Sequence, residues 1–332
     1  MFLSYLVRLS VESITQTLLV ISLYRFILLE QFDFSTISVT VSQSDLKAEP
    51  GVQYLDFEGA RIAFDFQPST AQCNKLLVLI NGFQRNYLDF RAFRKKIHSL
   101  NPNLATLALD NRYCGQTIVT EKAQELTVFR MAKDVAALAA FYCRSLGLNA
   151  FSALGISMGG MIAQTLAAHC PQVDALILVS TTAGGQSRVW PQGKSHSSVM
   201  QFKDYYVSLD STKNYMKNYF GERFLKNSPL LFEMMCKTLV KNREKVGDSV
   251  LDAAQMQLKA ASNFDGESLL SKIFTKTLVI SGDADAVVPL ANSYYLKDHI
   301  KNSSLIVYQD VGHLILIEEP DLFVSDICTF LS

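Results

Sequence analysis

Short apolar runs alternate with segments of helical periodicity over most of this chain. The runs are four to six residues long, as expected for strands buried on both faces of a sheet, and the intervening apolar residues recur with the spacing of amphipathic helices. The predicted strands are residues 52–57, 61–66, 76–80, 104–109, 150–154, 175–179, 277–280 and 305–308, and the predicted helices are 89–100, 128–146, 161–168, 291–300 and 321–331. This alternation predicts an α/β fold, with a mostly parallel central sheet flanked by helices on both faces.

The alternation stops between residues 184 and 270. This interval has no strand-like run, and it is dense in aromatic and methionine side chains: Trp190, Tyr205, Tyr206, Tyr215, Tyr219, Phe220, Phe224, Phe232, Met234 and Met235. We predict that residues 184–270 form a helical cap inserted into an α/β core made of residues 51–183 and 271–332. Most of these side chains are expected to form the cap's own core, and the others to line a cleft.

The first fifty residues have a different pattern. Residues 1–30 predict a hydrophobic helix, but their longest uncharged run has 12 residues, at positions 13–24, whereas a membrane-spanning helix needs about 20. A signal peptide would need an early basic region and a small-residue cleavage site, and neither is clear. Three interpretations stay open: a helix packed on the domain or in a dimer contact, a helix at a membrane surface, and an uncleaved signal-anchor. Residues 31–50 are polar and predict an irregular linker.

Composition narrows the class of protein. The chain has 332 residues, of which 49% are hydrophobic, and a formal net charge of zero. It can therefore bury a large core, and it lacks the basic footprint of a nucleic-acid-binding protein. Its 6 cysteines are dispersed without a C-x-x-C pair, which favours reduced thiols over a disulfide framework or a zinc site. We expect a cytoplasmic protein, and membrane association through residues 1–30 is left open.

The strongest candidate for chemistry is the segment from Gly155 to Gly159, with Ser157 at its centre. It lies between a predicted strand and a predicted helix. Glycines two residues before and two after the serine let a sharp turn close without Cβ clashes. The serine is then exposed at the edge of the sheet, above a helix N-terminus that stabilises negative charge.

A serine nucleophile needs a base, and the base needs an acid to orient it. Of the 5 histidines, His313 is the best candidate, because it follows the last predicted strand and so lies at the edge where open α/β sheets bind ligands. Asp283 and Asp285 follow the preceding strand, and either could reach the histidine. Spacing alone leaves both open, together with the interpretation that both only form a turn before a helix.

The reaction also needs hydrogen-bond donors for a developing oxyanion. The Met158 N–H, at the start of the predicted helix, is one. The loop after the strand 76–80 contains Asn81, Gly82 and Phe83. Asn-Gly is also a hairpin signal, but a predicted helix follows instead of a second strand, so we expect a strand-to-helix loop beside the serine. The Phe83 N–H is the second expected donor.

These segments resemble the α/β-hydrolase fold superfamily, in particular its single-domain members with a helical cap, over about residues 51–332. The segments that carry the resemblance are residues 77–83, 110–117, 155–159, 282–285 with Pro289, Gly312 with His313, and Glu319 with Pro320. The chain order Ser157, Asp285, His313 is the order of the superfamily. In its common pattern the aspartate comes three residues after a glycine and four before a proline, which favours Asp285 over Asp283.

Two positions depart from the superfamily's pattern. Asn81 and Gly82 stand where His-Gly is usual ahead of the oxyanion loop. Asparagine both donates and accepts hydrogen bonds, so it can hold the loop. The glycine and histidine that usually follow the Asp-x-Arg segment are replaced around Tyr113 and Cys114, in a segment that shapes the fold more than the chemistry.

The resemblance implies a serine hydrolase without a metal or an organic cofactor. Ser157 would attack a carbonyl, His313 would act as the base, and Asp285 would hold the histidine in the correct tautomer. The Phe83 and Met158 amides would stabilise the oxyanion. Asn81, Gly82, Gly155 and Gly159 would support these groups. The aromatic and methionine content of the predicted cap favours a small-molecule ester or thioester with a hydrophobic acyl or alcohol part. Rival activities on the same fold are C–C bond hydrolysis, lactone hydrolysis, cofactor-free peroxidation, acyl transfer and non-catalytic ligand binding.

Overall fold

A computed structural model describes residues 40–42, 52–121, 125–192, 208–246 and 249–332. The strands are β1 (Thr40–Ser42), β2 (Gln53–Phe57), β3 (Ala60–Gln67), β4 (Lys75–Ile80), β5 (Leu104–Leu109), β6 (Ile118–Val119), β7 (Phe151–Ile156), β8 (Val173–Val179), β9 (Lys276–Gly282) and β10 (Ser303–Tyr308). The helices are α1 (Arg91–Leu100), α2 (Val128–Leu146), α3 (Met158–His169), α4 (Leu209–Met216), α5 (Glu222–Asn227), α6 (Pro229–Val246), α7 (Ser249–Ser262), α8 (Glu267–Leu270), α9 (Ala291–His299), α10 (Ile315–Glu318) and α11 (Pro320–Leu331). Short 3₁₀ turns lie at Tyr87–Phe90 and Lys217–Tyr219.

The described strands form one sheet in the order β1-β2-β3-β5-β4-β7-β8-β9-β10, with β6 beside β3. The pairs from β5 to β10 are all parallel, and the pairs from β1 to β5 are antiparallel. The predicted α/β fold with a mostly parallel sheet is therefore confirmed. Because parallel strands end at the same edge, the loops that follow β4, β7, β8, β9 and β10 gather at one side of the molecule.

Both faces of the sheet are buried, as strand β4 shows. Leu76, Val78 and Ile80 belong to the apolar cluster that includes residues of α2 and α3. Leu77 and Leu79, which point to the opposite face, belong to the cluster that includes residues of α1 and α11. Burial on both faces explains why the central strands read as continuous apolar runs, as predicted from the sequence.

The antiparallel strands at the start of the sheet include one that was not predicted. The β2–β3 hairpin turns at Glu58 and Gly59, whose φ angles of 40° and 70° are those of a type I′ turn. The two strands that it joins were predicted, as residues 52–57 and 61–66. Residues 31–50, in contrast, were predicted as an irregular linker, yet they contain β1, which pairs antiparallel with β2. Three residues are too few to show a period of two, so the strand is apparent only from its partner.

The described residues between β8 and β9 contain helices α4 to α8 and no named strand, in agreement with the predicted helical character of this interval. Apolar side chains of α4 to α6 pack against Leu314, directly after His313, and include Met216, Phe220, Phe224 and Phe232. Helix α7 packs through Ala254 and Leu258 against Phe83. Helices of the predicted cap thus contact the loop that carries His313 and the loop that carries Phe83. The boundaries of the cap, 184–270, stay a prediction.

Some predictions fall outside the described residues. They are the hydrophobic helix at residues 1–30 and the aromatic pair Tyr205 and Tyr206. Within the described ranges, no helix has both the length and the apolar character needed to cross a membrane.

Candidate active site

Ser157 occupies a strained turn between β7 and α3. Its φ of 55° and ψ of −118° lie in a region that non-glycine residues rarely adopt. Neighbouring segments hold it there: its N–H donates to the carbonyl oxygen of Val179 at 2.9 Å, and its own carbonyl oxygen accepts from the Thr181 hydroxyl at 2.7 Å. The side chain lies at the carboxyl edge of the sheet, where it was predicted, and it is half-buried.

The two glycines that flank this serine are required by close backbone approach. A Cβ on Gly155 would lie 2.2 Å from the carbonyl oxygen of Gly159, and a Cβ on Gly159 would lie 2.1 Å from that of Ile80. Neither gap can hold a carbon atom. The helix can therefore start directly behind the serine only because both side chains are absent.

His313 and Asp285 are in direct contact. The Nδ1 atom of His313 lies 2.8 Å from Oδ2 of Asp285, and both side chains are buried. The other carboxylate oxygen, Oδ1, accepts the N–H groups of Val287 and Val288, each at 2.8 Å. An ionised Asp285 requires the proton on Nδ1, which leaves Nε2 of the imidazole as a proton acceptor.

Asp283, the alternative acid, lies elsewhere. Its Oδ1 atom accepts the N–H of Asp310 at 2.7 Å and so supports a residue with a φ of 57° in the loop after β10. The structure thus places Asp285 beside His313 and Asp283 under a turn. Among the described residues, no hydrogen bond joins the Ser157 hydroxyl to His313; such contacts often tighten only in the complex with substrate.

The loop that carries His313 is hydrogen-bonded to residues of the predicted cap. The His313 N–H donates to the carbonyl oxygen of Tyr219 at 2.9 Å, and the Tyr219 ring packs edge-on against the imidazole at 5.5 Å. Glu318 accepts the N–H of Gly312 with one carboxylate oxygen and that of Gly221 with the other, each at 2.9 Å. Burial raises the pKa of Glu318 to about 6, and the negative charge of Asp285 acts in the same direction.

The loop after β4 is held by its own asparagine. Oδ1 of Asn81 accepts the N–H of Gly82 at 2.9 Å, while its Nδ2 donates to the carbonyl oxygen of Asn86 and to Asp89. A Cβ on Gly82 would lie 3.2 Å from Cβ of Ser157, so this loop runs directly beside the serine. Asparagine therefore holds the loop where the family usually has histidine, as expected.

One expected oxyanion donor directly follows the serine in the chain, and the other belongs to the loop that runs beside it. Met158 is the first residue of α3, and the first N–H groups of a helix have no partner within it. Phe83 follows Gly82 in the loop beside the serine. Gly82 is not a further candidate, because the Asn81 side chain already takes its N–H. Tyr113, where the family usually has glycine, has a φ of 64° and so keeps the backbone shape that glycine would provide.

Two residues near the site were missed from the sequence. Glu318 had no recognisable spacing to His313. Gln257 is completely buried on α7, and its amide bonds to Gln84 in the loop beside Ser157. A signal for Gln257 did exist: it lies on the same helical face as the apolar Ala254 and Leu258, where a polar side chain needs a buried partner.

The parallel sheet, the strained serine and the buried His–Asp pair at one edge define a protein of the α/β-hydrolase class. The sequence profile of the alpha/beta hydrolase fold matches residues 75–320, which shows that the chain belongs to this family. Solved structures share its fold. MGS-M2, an alpha/beta hydrolase enzyme from a Medee basin deep-sea metagenome library, has a TM-score of 0.67 at 20% identity over 84% of this chain and 96% of its own.

Similar proteins carry the names of hydrolases of different kinds. Proline iminopeptidase PfmaB of Pestalotiopsis fici is 26% identical over 84% of this chain and 99% of its own length. The poly(3-hydroxyalkanoate) depolymerase of Ectopseudomonas oleovorans is 26% identical over 77% of this chain and 83% of its own. 3-Oxoadipate enol-lactonase 2 of Acinetobacter baylyi is 28% identical over 51% and 59%. These relatives support a hydrolase of the alpha/beta family without selecting one substrate.

Proposed function

We propose that this protein is a serine hydrolase that cleaves a carboxylic ester or thioester through an acyl-enzyme. The observation that carries the proposal is the buried contact between His313 and Asp285 at the same sheet edge as the strained Ser157. A carboxylate fixed by two backbone N–H groups orients the imidazole, and an imidazole with a free Nε2 lone pair accepts a serine proton.

The reaction follows from these roles. The Ser157 oxygen bonds to the substrate carbonyl carbon while its proton passes to Nε2 of His313. The negative charge on the carbonyl oxygen is stabilised by the N–H groups of Phe83 and Met158. The tetrahedral intermediate collapses, the bond to the leaving oxygen or sulfur breaks, and His313 gives that atom its proton. Water then attacks the acyl-enzyme by the same route and frees the serine.

The preference for a hydrophobic substrate rests on the surroundings of these residues. Phe220 and Phe224, on the segment bonded to the His313 loop, belong to an apolar cluster with Leu314. In a separate cluster, Phe83 packs against Ala254 and Leu258. A hydrophobic acyl or alcohol group that contacts these clusters would meet mostly apolar side chains. The substrate is therefore proposed to carry an apolar acyl or alcohol group next to the scissile bond.

Labelling with a fluorophosphonate probe tests the nucleophile. In this reaction the serine oxygen bonds to phosphorus and fluoride leaves. We expect strong labelling of the wild type, none of Ser157→Ala, and labelling at least 100-fold slower for Asp285→Asn. Asp283→Asn is the matched control, because asparagine keeps the oxygen that accepts the Asp310 N–H; it should label at the wild-type rate. No labelling of folded wild type would overturn the proposal in favour of a non-catalytic binding protein.

The bond cleaved is tested separately, because relatives include a lactonase and a peptidase. A panel should compare p-nitrophenyl esters of short and long acyl chains with a matched thioester, a lactone and an amino-acid anilide. We expect the highest kcat/KM for an ester or thioester with an acyl chain of intermediate or greater length. Faster turnover of the lactone or anilide would keep the serine mechanism and replace the proposed substrate class.

A further inference from the structure

The Gln257 side chain is unusual among the described residues of α7. It lies on the buried face of the helix beside Ala254 and Leu258, and it is completely shielded from solvent. A buried amide without partners would cost about 1–3 kcal/mol, so its contacts identify its role. All of its hydrogen bonds leave the helix and end in two loops of the α/β core.

Each end of the amide has a distinct partner. The Oε1 atom of Gln257 accepts the backbone N–H of Gln84 at 2.9 Å and the side-chain Nε2 of the same residue at 3.0 Å. Its Nε2 atom donates to the carbonyl oxygen of Arg112 at 2.7 Å. The Gln84 side chain adds a bond to the carbonyl oxygen of Tyr113 at 3.1 Å. One helix of the predicted cap is thus bonded to the loops that follow β4 and β5.

Gln84 needs this support. Its φ is 52°, a left-handed conformation that costs a residue with a side chain about 1–3 kcal/mol unless its surroundings hold it. The hydrogen bond from its N–H to Gln257 fixes the orientation of the peptide plane between Phe83 and Gln84.

The peptide plane on the other side is fixed as well. Oδ1 of Asn81 accepts the Gly82 N–H at 2.9 Å, which fixes the plane between Asn81 and Gly82. Between these two planes lies the Gly82–Phe83 peptide, and it carries the N–H of Phe83. Two side chains, Asn81 from the core and Gln257 from α7, therefore bracket the one peptide that contains the proposed oxyanion donor. The Phe83 side chain packs on the same helix.

We propose that Gln257 is a positioning residue that holds the Phe83 N–H in the orientation required to stabilise the oxyanion. This inference rests on the proposed serine hydrolase function. It makes α7 a structural part of the oxyanion hole. Gln257 acts through the Gln84 backbone and does not touch the reacting atoms. Its loss is expected to affect the transition state more than the bound substrate.

The test compares Gln257→Met with Gln255→Met. Methionine keeps the length and helix propensity of glutamine but removes all three side-chain hydrogen bonds of Gln257. Gln255 is a glutamine on the same helix that is only partly buried, so it controls for the substitution itself. With a p-nitrophenyl ester we expect kcat of Gln257→Met to fall 10- to 100-fold while KM changes less than threefold, because one oxyanion donor contributes about 10² to 10³ in kcat. Gln255→Met should match the wild type.

A second measurement separates positioning from general destabilisation. An alkylboronic acid, which forms a tetrahedral adduct with the serine, should bind Gln257→Met more weakly by the same factor as kcat falls. Gln257→Glu keeps an oxygen that can accept the Gln84 N–H, so its kcat should lie between those of the methionine variant and the wild type. This variant also provides the measurement if Gln257→Met does not fold. Melting temperatures are recorded for all variants.

The outcomes distinguish the two proposals. If the wild type reacts with the fluorophosphonate and turns over esters, while Gln257→Met and Gln257→Glu keep kcat within twofold of Gln255→Met, the positioning role is wrong and the serine hydrolase function stands. A loss of kcat/KM in Gln257→Met that arises from a higher KM alone also overturns the positioning role, since it would indicate that Gln257 contacts the substrate. If folded wild type shows neither labelling nor turnover, both proposals fail together.

Discussion

Glu318 accepts the backbone N–H of Gly312, the residue before His313, at 2.9 Å. With its other oxygen it accepts the N–H of Gly221, at the start of α5 in the predicted cap. One half-buried carboxylate therefore joins the histidine loop to the helices of the predicted cap. Gly221 and Asp310 are so close that a Cβ on the glycine would lie 2.1 Å from the carbonyl oxygen of Asp310. The position of His313 thus depends on the helical segment as well as on the sheet.

This arrangement predicts that Glu318→Gln slows catalysis. The amide offers one oxygen and one NH₂ group, so either Gly312 or Gly221 would present its N–H to another donor. We expect the loop to shift and kcat to fall about tenfold, since a displacement near 1 Å can cost up to 10² in rate. The control is Glu319→Gln, because Glu319 pairs with Arg223 at the surface, and it should change kcat less than twofold. Equal rates for the two variants would contradict this role.

The pH dependence of stability provides a separate test of Glu318. Its pKa is raised in the folded protein from an ordinary value of 4.5 to about 6. Between these values the folded state holds a proton that the unfolded state has released, so the contribution of this group to stability decreases as pH rises through the window. In urea titrations, wild type relative to Glu318→Gln should lose unfolding free energy from pH 4.5 to 6 and level off above 7. If the unfolding free energy of wild type relative to Glu318→Gln increased with pH, the pKa of Glu318 would be lowered in the folded protein instead of raised.

Gly159→Ala should disrupt the nucleophile turn. The new methyl group would lie 2.1 Å from the carbonyl oxygen of Ile80, which is backbone and cannot rotate away. We expect a loss of about 3 kcal/mol or more in unfolding free energy and no fluorophosphonate labelling. Gly147→Ala is the comparison, because Gly147 has a φ of 68° but nothing within 4 Å of the new methyl; it should cost about 1 kcal/mol and label normally. Similar losses of unfolding free energy in the two variants would mean that the backbone conformation of the glycine, and not steric overlap with the new methyl group, causes the loss.

A buried ion pair joins Arg112, in the loop after β5, to Asp134 on α2. Arg112 donates from Nε and Nη2 to both oxygens of Asp134, each at 2.7 Å, and both side chains are 2% exposed. Asp134→Ala would leave a buried guanidinium without its counter-ion, and we expect a loss of about 3–5 kcal/mol in denaturant unfolding. Glu125→Ala breaks a pair with Lys259 whose side chains are both more than half exposed, and it should cost less than about 1 kcal/mol. A loss below 2 kcal/mol for Asp134→Ala would contradict this account.

The elements with local signals were predicted closely. Helix α2 has the predicted bounds, because Thr127 caps its N-terminus through Arg130 N–H and Gly147 ends it in a left-handed conformation. Strand β5 also has its predicted bounds, since its apolar run is continuous. Strands β1 and β6 were missed, because two or three residues carry no period, and such strands exist only through pairing with a neighbour.

Some residues of the candidate site could also be found from the sequence, and others could not. The turn at Ser157 could be found because its glycines are needed within five consecutive residues. His313 could be placed at the correct edge of the sheet because strand order along the chain implies where each loop ends. Spacing could not distinguish Asp283 from Asp285. The contact between Asp285 and His313 arises from the loop conformations after β9 and β10.

The sequence by itself determined the alternation of strands and helices, the helical character of the segment between β8 and β9, and the glycine-flanked serine, because each depends on neighbouring residues. Only the tertiary structure decided which distant side chains meet. Gln84 and Gln257 are 173 residues apart, and Glu318 bonds to a glycine 97 residues earlier. Hydrogen bonds form only within a few tenths of an ångström of about 2.9 Å, so such pairs are set by how whole helices pack on the sheet.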